Sequence, residues 1–240
     1  MPAILALENV SKSFGALKVT DGISLSVAGG ETLGILGPNG AGKTTLFNLI
    51  SGDLRAESGR VLFGGEDVSR QPPHRRCRSG IGRSYQIPQP FGAMTVFENL
   101  VAAASFGSGR REKETYGQSV DILRETGLLE KANRLAGSLT LLDRKRLELA
   151  RALATNPQVL LLDEIAGGLT EHEALELVEE IRRIKQQGVT MIWIEHVVHA
   201  LLAVADRLFV INFGQRLAEG DPRAVMDDPD VRRVYMGLEV

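Results

Sequence analysis

The sequence predicts an α/β fold in which a buried, mostly parallel sheet carries an inserted helical segment. Three observations lead there. Apolar runs such as "ETLGIL", "QVLLLD" and "VTMIWIE" alternate with amphipathic stretches, the pattern of strands covered on both faces. From about Thr95 to Thr155, apolar residues recur at three- and four-residue spacing with no strand between. The length of 240 residues, 43% apolar and 24% charged, suits one sizeable soluble domain or a core with a subdomain.

Taken in order, Ile4–Leu7, Ile23–Val27, Thr32–Leu36 and Arg60–Phe63 read as strands parted by Gly-rich turns, and Lys43–Ile50 as a helix among them. "SGDLRAESG" is turn chemistry. "TVFENLVAAASF", "EKETYGQSVDILRET" and "RKRLELARALA" make the helical middle. The strand "VLLL" follows, then a long helix. Thr170 and Glu173 form a capping box at its start, and Ala174, Leu177, Val178, Ile181 and Ile184 make one stripe. Gly188 stands at its stop, before the strand "VTMIWIE". The chain has no internal repeat and no low-complexity segment.

The net charge of −2 supplies no global basic field for nucleic acid. Arg75, Arg76, Arg78 and Arg83 read as a solvated loop. Cys77 is the only cysteine, which excludes an internal disulfide and fits a reducing compartment. The first residues lack a basic leader with a long apolar run, and no stretch approaches the roughly 20 apolar residues of a membrane helix. A membrane role is therefore expected to come through a partner.

Gly37-Pro38-Asn39-Gly40-Ala41-Gly42-Lys43-Thr44 matches G-x-x-x-x-G-K-[ST] in full, with an apolar strand entering and an amphipathic helix leaving. Glycines let successive backbone N–H groups converge on phosphate oxygens, and the helix N-terminus adds donors and partial positive charge. Lys43 can reach the β- and γ-phosphates and Thr44 can hold Mg²⁺. A Gly-rich turn matching by chance would lack both flanks. Asp163 and Glu164 end an apolar strand, where a parallel sheet faces its ligand crevice. Asp163 fits a Mg²⁺-holding acid and Glu164 can polarise a water for in-line attack; the bland reading is a solvated strand end. His196 ends a third strand facing the same crevice, whereas His74, His172 and His199 read as incidental. No N-K-x-D base-reading motif argues for a GTPase.

With these residues in place, the chain resembles the ATP-binding subunits of ABC transporters nearly end to end. It is most similar to those of branched-chain amino acid-type importers, through "SYQIPQPFGAMTVFENL" and "LFVINFGQRLAEGDPRAVMDDPDVRRVYMGLE". The resemblance implies a P-loop NTPase of the ABC ATPase type. Its parts are a RecA-like mostly parallel sheet, an N-terminal antiparallel β subdomain and an inserted α-helical subdomain. Residues 1–240 then form one domain, with 1–85 and 156–240 as nucleotide core and 86–155 as helical subdomain. A tail from about 215 reads as packing rather than a regulatory contact.

The same resemblance implies ATP and Mg²⁺ as cofactors. Gly37, Asn39, Gly40, Ala41, Gly42, Lys43, Thr44 and Thr45 would hold the nucleotide. Phe14, otherwise a core aromatic, would stack on adenine. Mg²⁺ would sit by Thr44, Gln86 and Asp163. Glu164 matches the catalytic glutamate, His196 the switch histidine, and Gln86 the Q-loop glutamine that links metal and water to the membrane partner. The implied partners are permease subunits docked on the Q-loop and helical subdomain, a second ATPase subunit, and indirectly an external solute-binding protein. The implied place is the cytoplasmic face of the cell membrane, with no role for nucleic acid.

The chain departs from the family pattern in three places. Ile165 follows the catalytic glutamate where the family usually has proline. The D-loop reads Gly167-Gly168-Leu169-Thr170, and its Thr170 can cap the next helix as Asp would. The signature loop, which in the family caps the γ-phosphate on the opposite subunit, reads Thr140-Leu141-Leu142-Asp143. Thr140 keeps the hydroxyl and can open a helix. Leu141 and Leu142 replace glycines and are expected to hold the backbone off phosphate, Leu142 at the tighter place. Asp143 is expected to set a negative charge near an anion site. Either the chain pairs with a different subunit in an asymmetric dimer, or the loop adjusts and both sites work. Two other classes remain: a soluble ABC ATPase of DNA repair or translation, and a module that holds ATP without turnover. The single ATPase half without sustained heptads argues against the first, and Glu164 against the second.

Overall fold

The computed structural model describes residues 3–236. β1 (Ala3–Phe14) and β2 (Leu17–Ala28) form a hairpin, and β3 (Thr32–Leu36) leads through a glycine loop into α1 (Lys43–Ser51). β4 (Ser58–Phe63), β5 (Glu66–Asp67), α2 (Pro73–Ser79) and β6 (Ile81–Arg83) follow. The helical middle is α3 (Val96–Ser108), α4 (Glu112–Glu125) and α5 (Leu141–Ala154). The chain then returns as β7 (Val159–Asp163), α6 (Glu171–Gln186), β8 (Thr190–Ile194), α7 (Val198–Val204) and β9 (Arg207–Asn212). β10 (Gln215–Gly220), α8 (Pro222–Asp227) and α9 (Pro229–Met236) form the tail.

The expected α/β fold is present as two sheets. One is antiparallel, in the order β2-β1-β4-β5; the other runs β10-β9-β3-β8-β7-β6, parallel except for β10. Alternate residues of the parallel strands feed two cores. Met191 and Trp193 join the helices α3 to α7 on one face, while Ile192 and Ile194 join α1 and the antiparallel sheet on the other. That double burial explains the unbroken apolar runs.

The first two strands are each 12 residues, far longer than Ile4–Leu7 and Ile23–Val27 suggested. Their pairing shifts register repeatedly, with Asn9 at φ 50°, so alternation is broken and each strand reads as a fragment. The capping box on α6 is present in both directions between Thr170 and Glu173, and Gly188 follows the helix at φ 85°. In the tail, Val225 and Val231 are in the helical-side core. Its last residues lie outside those described.

The arginine cluster is not the solvated loop expected. Arg75 and Arg78 are exposed, but Arg76 is buried and the side chain of Arg83 is 6% exposed. Arg76 donates from Nη1 to the carbonyls of Leu49 and Ile50 at 2.6 and 2.8 Å, and from Nε and Nη2 to Gln71 and Ser69. It closes the C-terminal end of α1, whose last carbonyls have no helical partner. Burial pushes this guanidinium down to about 10. The one-dimensional spacing showed four charges, not that two of them turn inward.

Candidate functional site

The crevice lies at the C-terminal ends of β3, β7 and β8, adjacent strands of one parallel sheet. Between β3 and α1 the loop is locked by its glycines. A Cβ on Gly37 would stand 2.4 Å from the carbonyl of Ile211, and one on Gly42 2.4 Å from that of Val19. Gly40 and Gly42 also adopt φ of 81° and 105°, which side chains resist. Gly42 caps α1 with no side-chain bond, so the first helical N–H groups stay available to an anion. A cavity of about 180 Å³ here is lined by Asn39, Gly40, Gly42, Lys43, Thr44, Thr45 and Glu164. Lys43 folds back, donating to the carbonyls of Gly37 and Pro38 at 2.7 and 3.0 Å, and burial lowers its pKa.

Opposite the loop, Glu164 stands between two side chains. Gln86 Nε2 donates to its Oε2 at 2.5 Å, and His196 Nε2 lies 2.7 Å from its Oε1. One carboxylate, one amide and one imidazole thus meet across segments about 80 and 30 residues apart in sequence. The carboxylate can take a proton from a water, and the imidazole can donate or accept. Thr44, Gln86 and Asp163 line a second cavity of about 560 Å³. Hydroxyl, amide and carboxylate oxygens are hard donors in small number, a set that fits Mg²⁺, which keeps much of its water shell. Burial pushes the Asp163 carboxyl up, and Arg83 beside it, 2.8 Å away, pulls it back.

Five residues named from sequence do not line these cavities: Gly37 and Ala41 of the loop itself, His196, which meets Glu164, and Phe14 and Thr140. Phe14 is an exposed ring at the end of β1, with Lys12 Nζ 5.4 Å from its centroid, so it is not a core aromatic. Thr140 caps α5, accepting from the Asp143 N–H at 3.3 Å. The charge expected of Asp143 is a correction: its carboxylate turns inward, almost fully buried, and Lys131 Nζ neutralises it at 2.6 Å. The leucines divide. Leu142 is 8% exposed and belongs to the core, whereas Leu141 stands 45% exposed.

Three further charges stand around the site, Glu195 and Lys145 buried and Arg151 partly so, and none is marked by a sequence motif. Glu195 accepts from the Ala166 and His196 N–H groups at 2.7 and 3.1 Å, and burial raises its pKa. Lys145 Nζ donates to the carbonyl of Gln86 at 2.6 Å, and Arg151, on the same helix, to that of Gln89 at 2.9 Å. At helical spacing Lys145 and Arg151 are indistinguishable in sequence from the polar face of an amphipathic helix, whereas a glutamate closing an all-apolar strand is a signal.

The ABC transporter family profile matches residues 20–167, and one described as branched-chain amino acid ATP-binding cassette transporter matches residues 215–240. The high-affinity branched-chain amino acid transport ATP-binding protein BraF of Pseudomonas aeruginosa is 35% identical over 249 residues, covering 98% of each chain. The lipopolysaccharide export system ATP-binding protein LptB of Haemophilus influenzae is 35% identical over 235 residues, again covering 98% of each. Among solved structures, the ADP conformation of MJ1267, an ATP-binding cassette of an ABC transporter, superposes with a TM-score of 0.90 at 36% identity. The match covers 99% of this chain and all of that one.

Proposed function

The chain belongs to the ABC transporter ATP-binding family, and from that premise we propose that it energises an importer of branched-chain amino acids or related small polar solutes. As a member of that family it is an ATP-hydrolysing subunit of a transporter. Overall identity does not separate import from export, since BraF and LptB match equally well. The tail match over residues 215–240 is the observation that favours import.

In this reading the backbone from Gly37 to Thr45 cradles the phosphates, and Lys43 swings from its loop carbonyls to their oxygens. Phe14 offers its exposed ring to adenine. Thr44, Gln86 and Asp163 would hold Mg²⁺, which when bound would supply positive charge beside the phosphates. Glu164 takes the proton of the attacking water while Gln86 and His196 orient its carboxylate. Residues 86–155 serve as the helical subdomain, and 1–85 with 156–240 as the core. A groove of about 510 Å³ between them, bordered by Tyr85, Phe106 and Arg151, takes a cytoplasmic helix of a permease. Among the described residues no helix is long and apolar enough to cross a membrane. In this reading the permease holds the subunit at the cytoplasmic face. A solute-binding protein outside supplies the cargo.

Purification from native membranes tests this. The chain should copurify with permease subunits, and in reconstituted vesicles a binding protein loaded with leucine, isoleucine or valine should raise ATP hydrolysis severalfold. A membrane-free complex would favour a soluble ABC ATPase. Stimulation by a lipid cargo alone would overturn import.

Exposed Leu141 supports a second reading, in which the signature loop of this chain is weak and a different subunit completes the dimer. With Glu164→Gln to block turnover, the chain is expected to stay monomeric on size exclusion with ATP and Mg²⁺. Leu141→Gly should promote dimerisation by about tenfold, the effect of regaining about one charge-assisted hydrogen bond to phosphate. ATP-driven dimers of the parent at equal strength would return the symmetric machine.

A further inference from the structure

Asp163 has a partner that the proposed cycle does not use. Arg83 ends β6, three residues before Gln86, and its side chain is 6% exposed against 4% for Asp163. Its Nη2 donates to Asp163 Oδ2 at 2.8 Å. Its Nη1 donates to Asn48 Oδ1 at 2.7 Å, to Ser51 Oγ at 3.1 Å and to Asp53 Oδ2 at 3.1 Å. The guanidinium also lies over the rings of Phe47 and Tyr85, 5.7 and 4.8 Å from their centroids. One planar group therefore joins the metal-facing acid, the helix that follows the phosphate loop, and the root of the Gln86 loop. Among the described residues no other lysine or arginine pairs with Asp163.

A buried carboxylate without a counter-charge is strongly unfavourable, and the loss of one partner exposes the whole desolvation penalty of the other. Yet a permanently paired acid would be a poor metal ligand. Both demands are met if the counter-charge can be shared. Arginine suits this: its fork occupies one carboxylate oxygen while Asn48, Ser51 and Asp53 hold its other arm in place.

We propose that Arg83 is a positioning residue and the resident counter-ion of Asp163, carrying the acid's charge between turnovers and yielding that role to Mg²⁺ when the nucleotide enters. The proposal rests on the reading of Asp163 as a metal-holding acid. It places the dependence on Arg83 in the metal-free protein and not in the Mg²⁺–nucleotide complex.

The test is thermal melting of the full chain carrying Glu164→Gln, with and without Arg83→Met, under three conditions: EDTA alone, ATP with EDTA, and ATP with Mg²⁺. Arg83→Met should lower Tm by about 8 °C in EDTA, the effect expected of an orphaned buried charge in a domain of this size. ATP without metal should leave that gap unchanged. ATP with Mg²⁺ should close it by more than half. Arg83→Lys, which retains the charge, should lie nearer the parent throughout. If Arg83→Met does not accumulate, the smaller gap of Arg83→Lys should shrink with Mg²⁺ in the same way. A gap that Mg²⁺ leaves unchanged or widens, while Mg²⁺ still stabilises the parent, overturns the counter-ion role alone. A parent that ATP stabilises no better with Mg²⁺ than with EDTA overturns the metal reading of the site, and this proposal with it.

Discussion

Glu164→Gln is expected to lower ATP turnover by about a thousandfold while leaving ATP binding within about a factor of two, since positioned general bases contribute roughly 10²–10⁴. The substitution keeps shape and replaces one carboxylate oxygen by an amide nitrogen that cannot accept a proton. The surroundings make this a local change. Glu164 is held by side-chain donors on Gln86 and His196, and its backbone N–H bonds the carbonyl of Ile194 regardless of the side chain. The phosphate loop is shaped by backbone contacts of Gly37 and Gly42 that residue 164 does not make. Single-turnover hydrolysis beside fluorescent-nucleotide binding checks it. Equal turnover in variant and parent would remove Glu164 from the role of base; a matching loss of binding would make it a ligand instead.

Arg76→Met should be the most damaging change outside the crevice, a loss of about 3–5 kcal/mol in unfolding free energy. Arg76 donates to four backbone carbonyls, two of them at the end of α1. Methionine fills similar space but leaves buried acceptors unmatched, and each such group costs about 1–3 kcal/mol. Arg76→Lys should recover part of the loss, because a point charge cannot span acceptors spread around a planar fork. Urea unfolding gives the value, and a difference under about 1 kcal/mol would mean that water replaces the guanidinium. Because α1 starts at the phosphate loop, the same variant should also weaken nucleotide binding.

What could be read in the chain was local chemistry. The phosphate loop is contiguous and its glycines answer to backbone geometry, so a short string of residues carries it. The α6 cap is likewise contained in the four residues from Thr170 to Glu173. Thr44 and Asp163 could be read from their motifs, but Gln86, which lines the same cavity, was added only through the resemblance, since a lone glutamine in a loop carries no signal of its own. What could not be read depends on distant partners. Asp143 turns inward because Lys131 stands 12 residues before it, and Arg83 is committed by an acid 80 residues later. The lengths of β1 and β2 were hidden by register shifts that exist only once the two strands pair.

The backbone of Glu164 has a consequence for how this chain can change over generations. Its φ of 44° places a non-glycine residue in the left-handed region, an arrangement worth about 1–3 kcal/mol of stored strain. Glycine or asparagine would sit there more comfortably. If Glu164 is the base proposed above, selection for thermal robustness alone would therefore drift toward a more durable protein that has lost it, while β-branched residues are closed off as routes. On that proposed role the glutamate persists at this turn only while hydrolysis itself is under selection, which makes residue 164 a marker: descendants freed from transport should lose it early.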